Sequence, residues 1–375
     1  MDKKRIMVCE PFLNGNEEKY VMDAVSTGWI SSSGAYVDKF EKAFAQYCDV
    51  KHGVAVCNGT VALHLALVAL GIGKGDEVII PSFTMIATAF AVCYVGAMPV
   101  FVDADKDTWN IDVHKIEEKI TARTKAIMPV HIFGNPCNMD AICDIAKRHN
   151  LYIIEDAAEA HGATYKGKKV GSFSDVAAFS FFANKNVTTG EGGMCVTNND
   201  EYAHNCRYYK NVCFNPDGPR DYMHNDIGFN YRMSNIHAAI GLAQTEKADE
   251  YRELRRRNHA LYKELLTDVD GIIFQKDEED SVNVAWMNSI VVDKDKYGRT
   301  RDELISKLKE EGIDTRLLFK SMNIQPSLIK YGCNCEGEYP VTNFLSDNGF
   351  YLPSASNLEV EDIHRICDVI KEFAG

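Results

Sequence analysis

The fold is decided by the stretch KAIMPVHIFGNPCNMDAICDIAKRHNLYIIED, residues 125–156. It begins with the apolar run 125–134 and ends with the apolar run 151–156, and both are typical of strands buried in a parallel sheet. Between them, residues 139–149 carry polar side chains on one side, which predicts a helix. This order of strand, helix and strand predicts an α/β unit with a right-handed crossover.

The same alternation extends to both sides of this unit. Further strand-like runs lie at 77–81, 99–103 and 176–181, and a helical pattern lies at Val61–Leu70. We therefore predict an α/β domain with a mostly parallel mixed sheet over residues 1–245.

Beyond Met233 the pattern changes. A long helical stretch at about 235–266 is followed by the strand-like segment 283–292 and by a helix at 300–311. These segments predict a second, smaller α+β domain over residues 246–375.

Composition limits the partners of the protein. The 375 residues carry a net charge of -13 and include no run of about 18 apolar residues, so we expect neither nucleic acid nor membrane as partner. The basic start is followed by Glu10 and Pro11, which interrupt the apolar run of a signal peptide, so we expect a cytoplasmic protein. Twelve scattered cysteines predict reduced thiols and no metal site.

A lysine follows one of the predicted strands, in the stretch FSFFANKNVTTGEGGM, residues 179–194. The apolar lead-in places Lys185 at the carboxyl edge of the sheet, where α/β proteins bind ligands. Lysines are mostly surface residues, but a partly buried lysine loses charge, which Schiff-base chemistry requires. Lys185 is therefore a candidate catalytic residue.

Carboxylates follow the strand LYII in the stretch EDAAEAHGA, residues 155–163. A carboxylate at this end of a strand can bind a metal, contact a sugar or cap a helix. The residues alone favour the helix cap and leave the other two possibilities open.

The third element is Asn58-Gly59-Thr60, which lies between the short strand GVAVC and the helical pattern Val61–Leu70. A small residue at a helix N-terminus exposes backbone N–H groups and the positive end of the helix dipole, which suits a phosphate. Because the same residue types also cap ordinary helices, this element is informative only together with the others.

In this order and spacing, the three elements resemble the DegT/DnrJ/EryC1/StrS family of sugar aminotransferases, a branch of the fold-type I pyridoxal-phosphate enzymes. The likeness runs along the whole chain and includes EPFLNGNE at 10–17, WISSSG at 29–34, PSFTMIAT at 81–88 and IGFNYRMSNIHAAIGLAQ at 227–244. It implies the aspartate-aminotransferase fold, pyridoxal 5'-phosphate as cofactor and a homodimer with shared active sites.

The resemblance implies catalytic roles for residues of the first two elements. Lys185 would bind the cofactor covalently and then move protons during the reaction. Asp156 would pair with the ring nitrogen and keep it protonated, so that the ring acts as an electron sink. Glu159 would lie near the phenolic oxygen of the ring.

Further cofactor contacts are implied in the same way. Ser180 and the backbone groups of Gly59 and Thr60 would hold the phosphate, and Phe83 would stack on the ring. Asn230 of the partner subunit would reach the same phosphate.

Two segments fall where relatives bind a nucleotide sugar: Trp29, Ile30, Ser31 and Ser32 in one, and Phe319, Lys320, Ser321 and Met322 in the other. The likeness favours amino transfer from L-glutamate to C4 of a nucleotide-linked 4-keto-6-deoxy sugar, with a GDP-linked sugar expected first. A UDP- or dTDP-linked sugar, amination at C3 and a small phosphorylated ketone stay open, because loops decide the substrate.

Two other functions compete with amino transfer. One subgroup of the family carries histidine in place of the lysine and dehydrates its substrate, so Lys185 favours amino transfer. A non-catalytic regulatory protein that kept the fold is the other alternative. A bound cofactor whose absorbance is bleached by glutamate would exclude it.

Overall fold

The computed structural model describes residues 4–219 and 222–375. The strands are β1 His52–Val56, β2 Glu77–Pro81, β3 Met98–Val102, β4 Thr124–Ile127, β5 Tyr152–Asp156, β6 Thr164–Tyr165, β7 Lys168–Lys169, β8 Val176–Ser180, β9 Gly193–Thr197, β10 Ile272–Phe274, β11 Ser281–Val282, β12 Asn288–Val292, β13 Arg316–Leu317 and β14 Gly349–Leu352. The helices are α1 Glu17–Ser26, α2 Ala35–Tyr47, α3 Gly59–Ala69, α4 Ile86–Tyr94, α5 Met139–His149, α6 Asp200–Lys210, α7 Asn235–Glu246, α8 Ala248–Leu266, α9 Lys294–Tyr297, α10 Arg301–Glu310, α11 Pro326–Tyr331, α12 Pro340–Asn348 and α13 Val360–Phe373.

A seven-stranded sheet forms the centre of the larger part of the molecule. Its strand order is β1-β9-β8-β5-β4-β2-β3, and β9 runs in the direction opposite to that of the other six strands. All five residues of β2 are buried, which is why an apolar run, Val78–Pro81, follows Glu77 in this strand. The predicted α/β fold with a mostly parallel mixed sheet is confirmed.

A second, antiparallel sheet lies in the C-terminal part, with the order β10-β12-β14-β13. Helices α8, α10 and α13 share one apolar core with it, through residues such as Tyr262, Leu304 and Ile363. The N-terminal Ile6 joins this core and pairs with Ile313. The domain boundary at residue 245 stays a prediction. No helix in the described ranges is long and apolar enough to cross a bilayer.

The stretch predicted as one helix at 235–266 is two helices. Lys247 leaves helical geometry, with φ -112 and ψ 3, between α7 and α8. Just before the break, the buried amide of Gln244 donates hydrogen bonds to the carbonyl of Phe12 and to the carboxylate of Glu17. The break itself is not signalled by glycine or proline in the sequence. Tertiary contacts set it.

The strand predicted at 283–292 begins only at Asn288. The preceding residues bond instead to the turn at Phe133 and Gly134. The N–H of Val284 donates to the carbonyl of Gly134, and the N–H of Trp286 donates to the carbonyl of Phe133. This pairing brings Trp286 to the edge of the large sheet. The predicted strand 125–134 likewise ends at Ile127.

Candidate active site

Strands β5 and β8 are parallel neighbours, and both end at the same edge of the large sheet. Asp156 is the last residue of β5 and Ser180 the last residue of β8. Lys185 follows Ser180 after a short turn. The elements that sequence reasoning picked out separately are therefore side by side at the carboxyl edge, where α/β proteins bind ligands.

The two acidic residues at the end of β5 point to opposite faces of the sheet, as the alternation of a strand requires. Glu155 accepts hydrogen bonds from the backbone N–H groups of Gly171, Phe173 and Ser174 and is fully buried. Its role is to hold that loop. Asp156 is left as the carboxylate of the site.

Asp156 is buried with few partners of its own. It is 4% exposed, Oδ2 accepts a 2.8 Å hydrogen bond from Thr88 Oγ1, and Oδ1 accepts a 3.3 Å bond from the N–H of Ala158. Residues 157–163 form turns and no helix, so the helix-cap alternative is not supported. Burial raises the pKa of Asp156. A buried carboxylate that forms no ion pair within the described ranges suits a ligand that brings a positive charge.

Lys185 lies between an acid and an aromatic ring, with little of its side chain exposed. Its side chain is 9% exposed, and Nζ lies 3.8 Å from Glu159 Oε1 and 3.3 Å from the centroid of the Trp286 ring. Burial lowers the pKa of Lys185 against the opposing charges of Glu159 and Asp156. Burial also raises the pKa of Glu159. Both shifts favour the neutral forms, so Lys185 and Glu159 form a close contact and not a strong ion pair.

The N-terminus of α3 is open beside Ser180. The side chain of Asn58 caps the helix by accepting a 3.0 Å hydrogen bond from the N–H of Val61. A Cβ on Gly59 would lie 2.6 Å from Cβ of Ser180, so only glycine permits this approach. The amides of Gly59 and Thr60 have no preceding helical turn to bind, which leaves them for an anion.

These three groups fit pyridoxal phosphate. Asp156 suits the protonated ring nitrogen, the lowered pKa of Lys185 suits an amine that must react with a carbonyl, and the α3 terminus suits a phosphate. Phe133 completes the arrangement, since its N–H donates a 2.7 Å hydrogen bond to Glu159 Oε2 and so fixes that carboxyl group.

The profile of the DegT/DnrJ/EryC1/StrS aminotransferase family matches residues 11–371. The chain belongs to this family. It is 47% identical over 366 residues to the GDP-perosamine synthase of Caulobacter vibrioides, with 97% of each chain covered. It is 44% identical over 371 residues to the GDP-perosamine synthase of Escherichia coli O157:H7, with 99% of each covered.

Solved structures agree with this assignment. DesV of S. venezuelae superposes with a TM-score of 0.89 at 35% identity, over 96% of this chain and 94% of that chain. A 3-amino-5-hydroxybenzoic acid synthase superposes with a TM-score of 0.91 at 30% identity, over 99% of both chains. The predictions of fold type I, of pyridoxal phosphate and of a sugar aminotransferase are confirmed at the level of the family.

The ring of Phe83 is buried and does not face the open space beside Lys185 and Asp156. Its ring has no exposed surface and packs edge-on against Phe133 and Phe319, so it offers no face on which a cofactor could stack. The expected stacking role therefore finds no support in the structure. Met85, two residues later in the same motif, is 50% exposed.

The two predicted substrate segments line different cavities of the single chain. Phe319, Lys320 and Met322 line a cavity of about 330 Å³ together with Thr84 and Met85. Ser321 between them is fully buried and anchors the segment.

The other segment lies in the loop before α2. Trp29 and Ile30 are 59% and 49% exposed, and Ser31 is also exposed. The buried Asn235 holds this loop, because its Nδ2 donates a 2.6 Å hydrogen bond to the carbonyl of Trp29. Ser32 lines a cavity of about 390 Å³ that does not include the other segment.

Asn230 is exposed on the surface of the chain. Its Oδ1 accepts hydrogen bonds from Nε and Nη2 of Arg232 at 2.9 and 2.6 Å. No hydrogen bond among the described residues joins Asn230 to Asp156, Ser180 or Lys185. The structure thus brings Asp156, Glu159, Lys185, Gly59, Thr60 and Ser180 to one edge of the sheet, and it does not bring Asn230 to them within the chain.

Sequence reasoning missed Thr88 and Trp286. Thr88 lies in the quoted motif PSFTMIAT, one turn into α4, so its position near the carboxyl edge was accessible from the motif. Trp286 is 101 residues from Lys185 in the sequence and carries no local signal. Only the folded chain shows that the two side chains meet.

Proposed function

We propose that this aminotransferase moves an amino group from L-glutamate to C4 of a GDP-linked 4-keto-6-deoxy sugar. The observation that carries the chemistry is that Lys185, with a side chain only 9% exposed, and the buried Asp156 lie at the same edge of the large sheet. The substrate is supported by relatives named GDP-perosamine synthase, which are 40–47% identical to nearly the whole chain. Another keto-sugar nucleotide is the alternative within the same chemistry.

Each residue of the site has a defined task in this proposal. Pyridoxal phosphate, when bound, supplies an electron sink for the carbon that loses its proton. Asp156 would hold the ring nitrogen in its protonated form, and Thr88 fixes the direction of Asp156 through its 2.8 Å hydrogen bond. Ser180 and the N–H groups of Gly59 and Thr60 would bind the phosphate.

Lys185 would serve twice, first as covalent attachment and then as acid and base. Its Nζ must take a proton from the amino donor and return one to the acceptor, so both protonation states need to be accessible at the working pH. Burial, which lowers the pKa of Lys185, supports this role. The low exposure of the side chain keeps bulk water from competing for that proton.

The partner subunit's Asn230 completes the phosphate site in the proposed homodimer. In support, Asn230 is exposed and held by Arg232, so its amide is presented outward. A cytoplasmic location is part of the same proposal.

The experiment that tests the substrate assignment is a panel of acceptors. Purified protein, loaded with pyridoxal phosphate, is incubated with L-glutamate and one keto-sugar nucleotide at a time, and product mass is followed. The proposal predicts turnover with a GDP-linked 4-keto-6-deoxy sugar. Turnover only with UDP- or dTDP-linked sugars, or only at C3, would refute this substrate and leave amino transfer in place.

A further inference from the structure

Arg255 is a buried cation without a carboxylate partner. It lies on α8, is 2% exposed and forms no ion pair with any residue in the described ranges. Its Nη1 donates a 2.6 Å hydrogen bond to the carbonyl of Trp286, and its Nε donates a 3.0 Å bond to Ser356 Oγ. Because an unpaired buried charge is costly, a purely structural role is a poor explanation for it.

The carbonyl of Asn184, directly before Lys185, is a point on which three donors converge. Trp286 Nε1 donates at 3.0 Å, Arg255 Nη2 at 3.3 Å and Cys9 Sγ at 3.4 Å. A carbonyl oxygen has two lone pairs, so donors from three separate parts of the chain leave it little freedom to rotate. The backbone on which Lys185 sits is thereby fixed.

Trp286 is held at its backbone and at its ring. Its carbonyl accepts from Arg255, and its N–H donates a 2.8 Å hydrogen bond to the carbonyl of Phe133. The indole stacks on the Phe133 ring with an interplanar angle of 24°. The ring of Trp286 is in turn the surface over which Lys185 Nζ lies, with 3.3 Å to the centroid.

We propose that Arg255 is a positioning residue for amino transfer, which holds Asn184 and Trp286 so that the ε-amino group of Lys185 stays on the indole face when it is not bound to the cofactor. The inference rests on the proposed role of Lys185. Arg255 reaches both ends of the lysine, its backbone through Asn184 and its amine through Trp286.

The charge of Arg255 adds a second effect. Burial is the main cause that lowers the pKa of Lys185, and the positive charge of Arg255 lowers it further, whereas Glu159, Asp156 and Cys9 oppose both. Loss of the guanidinium should therefore raise the pKa of the amine. This gives a readout that does not depend on catalysis.

The test compares two variants. Arg255→Met removes both the positive charge and the hydrogen-bond donors of the guanidinium, whereas Arg255→Lys keeps the charge and loses the guanidinium geometry. Arg257→Met is the matched control, because Arg257 is on the same helix and donates to the carbonyl of Leu358, away from Lys185. Full-length protein freed of cofactor is acetylated with acetic anhydride over a pH series, and the labelled Lys185 peptide is quantified by mass spectrometry. Arg255→Met should move the midpoint up by about 0.5 to 1 pH unit, and the control should not move it.

The loaded enzymes give the second measurement. The glutamate half-reaction should slow by about tenfold in both Arg255 variants at unchanged KM for glutamate, because a displaced amine transfers protons poorly. If Arg255→Met does not fold, the rate of the glutamate half-reaction in Arg255→Lys tests the positioning role alone. A wild-type midpoint in Arg255→Met, or wild-type rates in both Arg255 variants, would overturn the inference.

The proposed role of Lys185 is tested separately in the wild type. Borohydride reduction of the loaded wild-type enzyme should attach the cofactor to the Lys185 peptide. Attachment elsewhere would refute the role of Lys185 itself, whereas attachment at Lys185 with unaffected Arg255 variants would refute only the positioning role.

Discussion

Burial of Glu159 and Lys185 side by side leaves neither group stabilised in its charged form. The two atoms are 3.8 Å apart, which is beyond hydrogen-bond distance, and burial raises the pKa of Glu159. The folded protein therefore binds a proton at Glu159 that the unfolded chain releases. Stability should fall as the pH rises from the ordinary pKa of a glutamic acid to the raised one.

Glu159→Gln removes this titration, and its expected result follows from that sign. As the pH rises from about 5 to about 8, the Tm of the wild type should fall relative to the Tm of the variant by about 2 °C. Calorimetry on cofactor-free protein measures it. Glu264→Gln, on the exposed side of α8, is the control and should follow the wild type. An unchanged Tm difference across this range would show that Glu159 is ionised in the folded protein.

Single residues differ in how well the sequence predicts them. Asp156 and Lys185 could be placed, because Asp156 ends one apolar strand and Lys185 follows another after a short turn, and the carboxyl ends of these strands meet at one edge. The opposite directions of Glu155 and Asp156 were not assigned from the sequence, although the alternation of a strand contains that information. The contact of Trp286 with Lys185 and the hydrogen bond of Arg255 to the carbonyl of Asn184 depend on packing between distant segments, for which one sequence has no signal.

At the scale of elements, the contact between α3 and β8 sets the shape of the proposed phosphate site. Gly59→Ala would place a methyl group 2.6 Å from Cβ of Ser180, so the helix terminus must move away. We expect a loss of about 1–3 kcal/mol in stability and at least a tenfold weaker affinity for pyridoxal phosphate, measured by equilibrium dialysis.

The control for this variant lies just beyond the other end of α3. Gly73→Ala places its methyl group 3.7 Å from the carbonyl oxygen of Val95, which is an ordinary contact. It should bind the cofactor as the wild type does. Equal cofactor affinity of the Gly59 and Gly73 variants would show that α3 does not hold the phosphate.

The sequence predicts the bounds of an element well where periodicity and local capping residues determine them. It predicts them poorly where tertiary packing determines them. Helix α5 spans the predicted residues Met139–His149, because its cap Asn138 and its left-handed C-cap Asn150 are local signals. The break at Lys247 has no such signal. In the apolar run 125–134, strand β4 ends at Ile127, although Val130 still forms a bridge with Asp156. The last residues, Phe133 and Gly134, bond to the segment that carries Trp286.

At the scale of the whole molecule, the proposed shared site can be tested by mixing subunits. One subunit carries Lys185→Ala and the other Asn230→Ala, each with a different affinity tag, and the mixed dimer is purified. If Asn230 acts across the interface, one site of this dimer is intact, so we expect about half of the wild-type activity. The two homodimers serve as controls and should be strongly impaired.

The alternative has a clear signature in the same experiment. If Asn230 acts within its own chain, the mixed dimer contains no intact site. Its activity would then be no higher than that of the Asn230→Ala homodimer. A protein that runs as a monomer in size-exclusion chromatography would refute the dimer itself.

The proposed role of Lys185 in amino transfer is decided by the half-reaction of the loaded enzyme with glutamate. Without acceptor, the wild type should release one 2-oxoglutarate per site while the cofactor absorbance changes. Lys185→Ala should slow this step by at least about 10³-fold, and the exposed Lys168→Ala should not slow it. A half-reaction near the wild-type rate in Lys185→Ala would refute this role of Lys185.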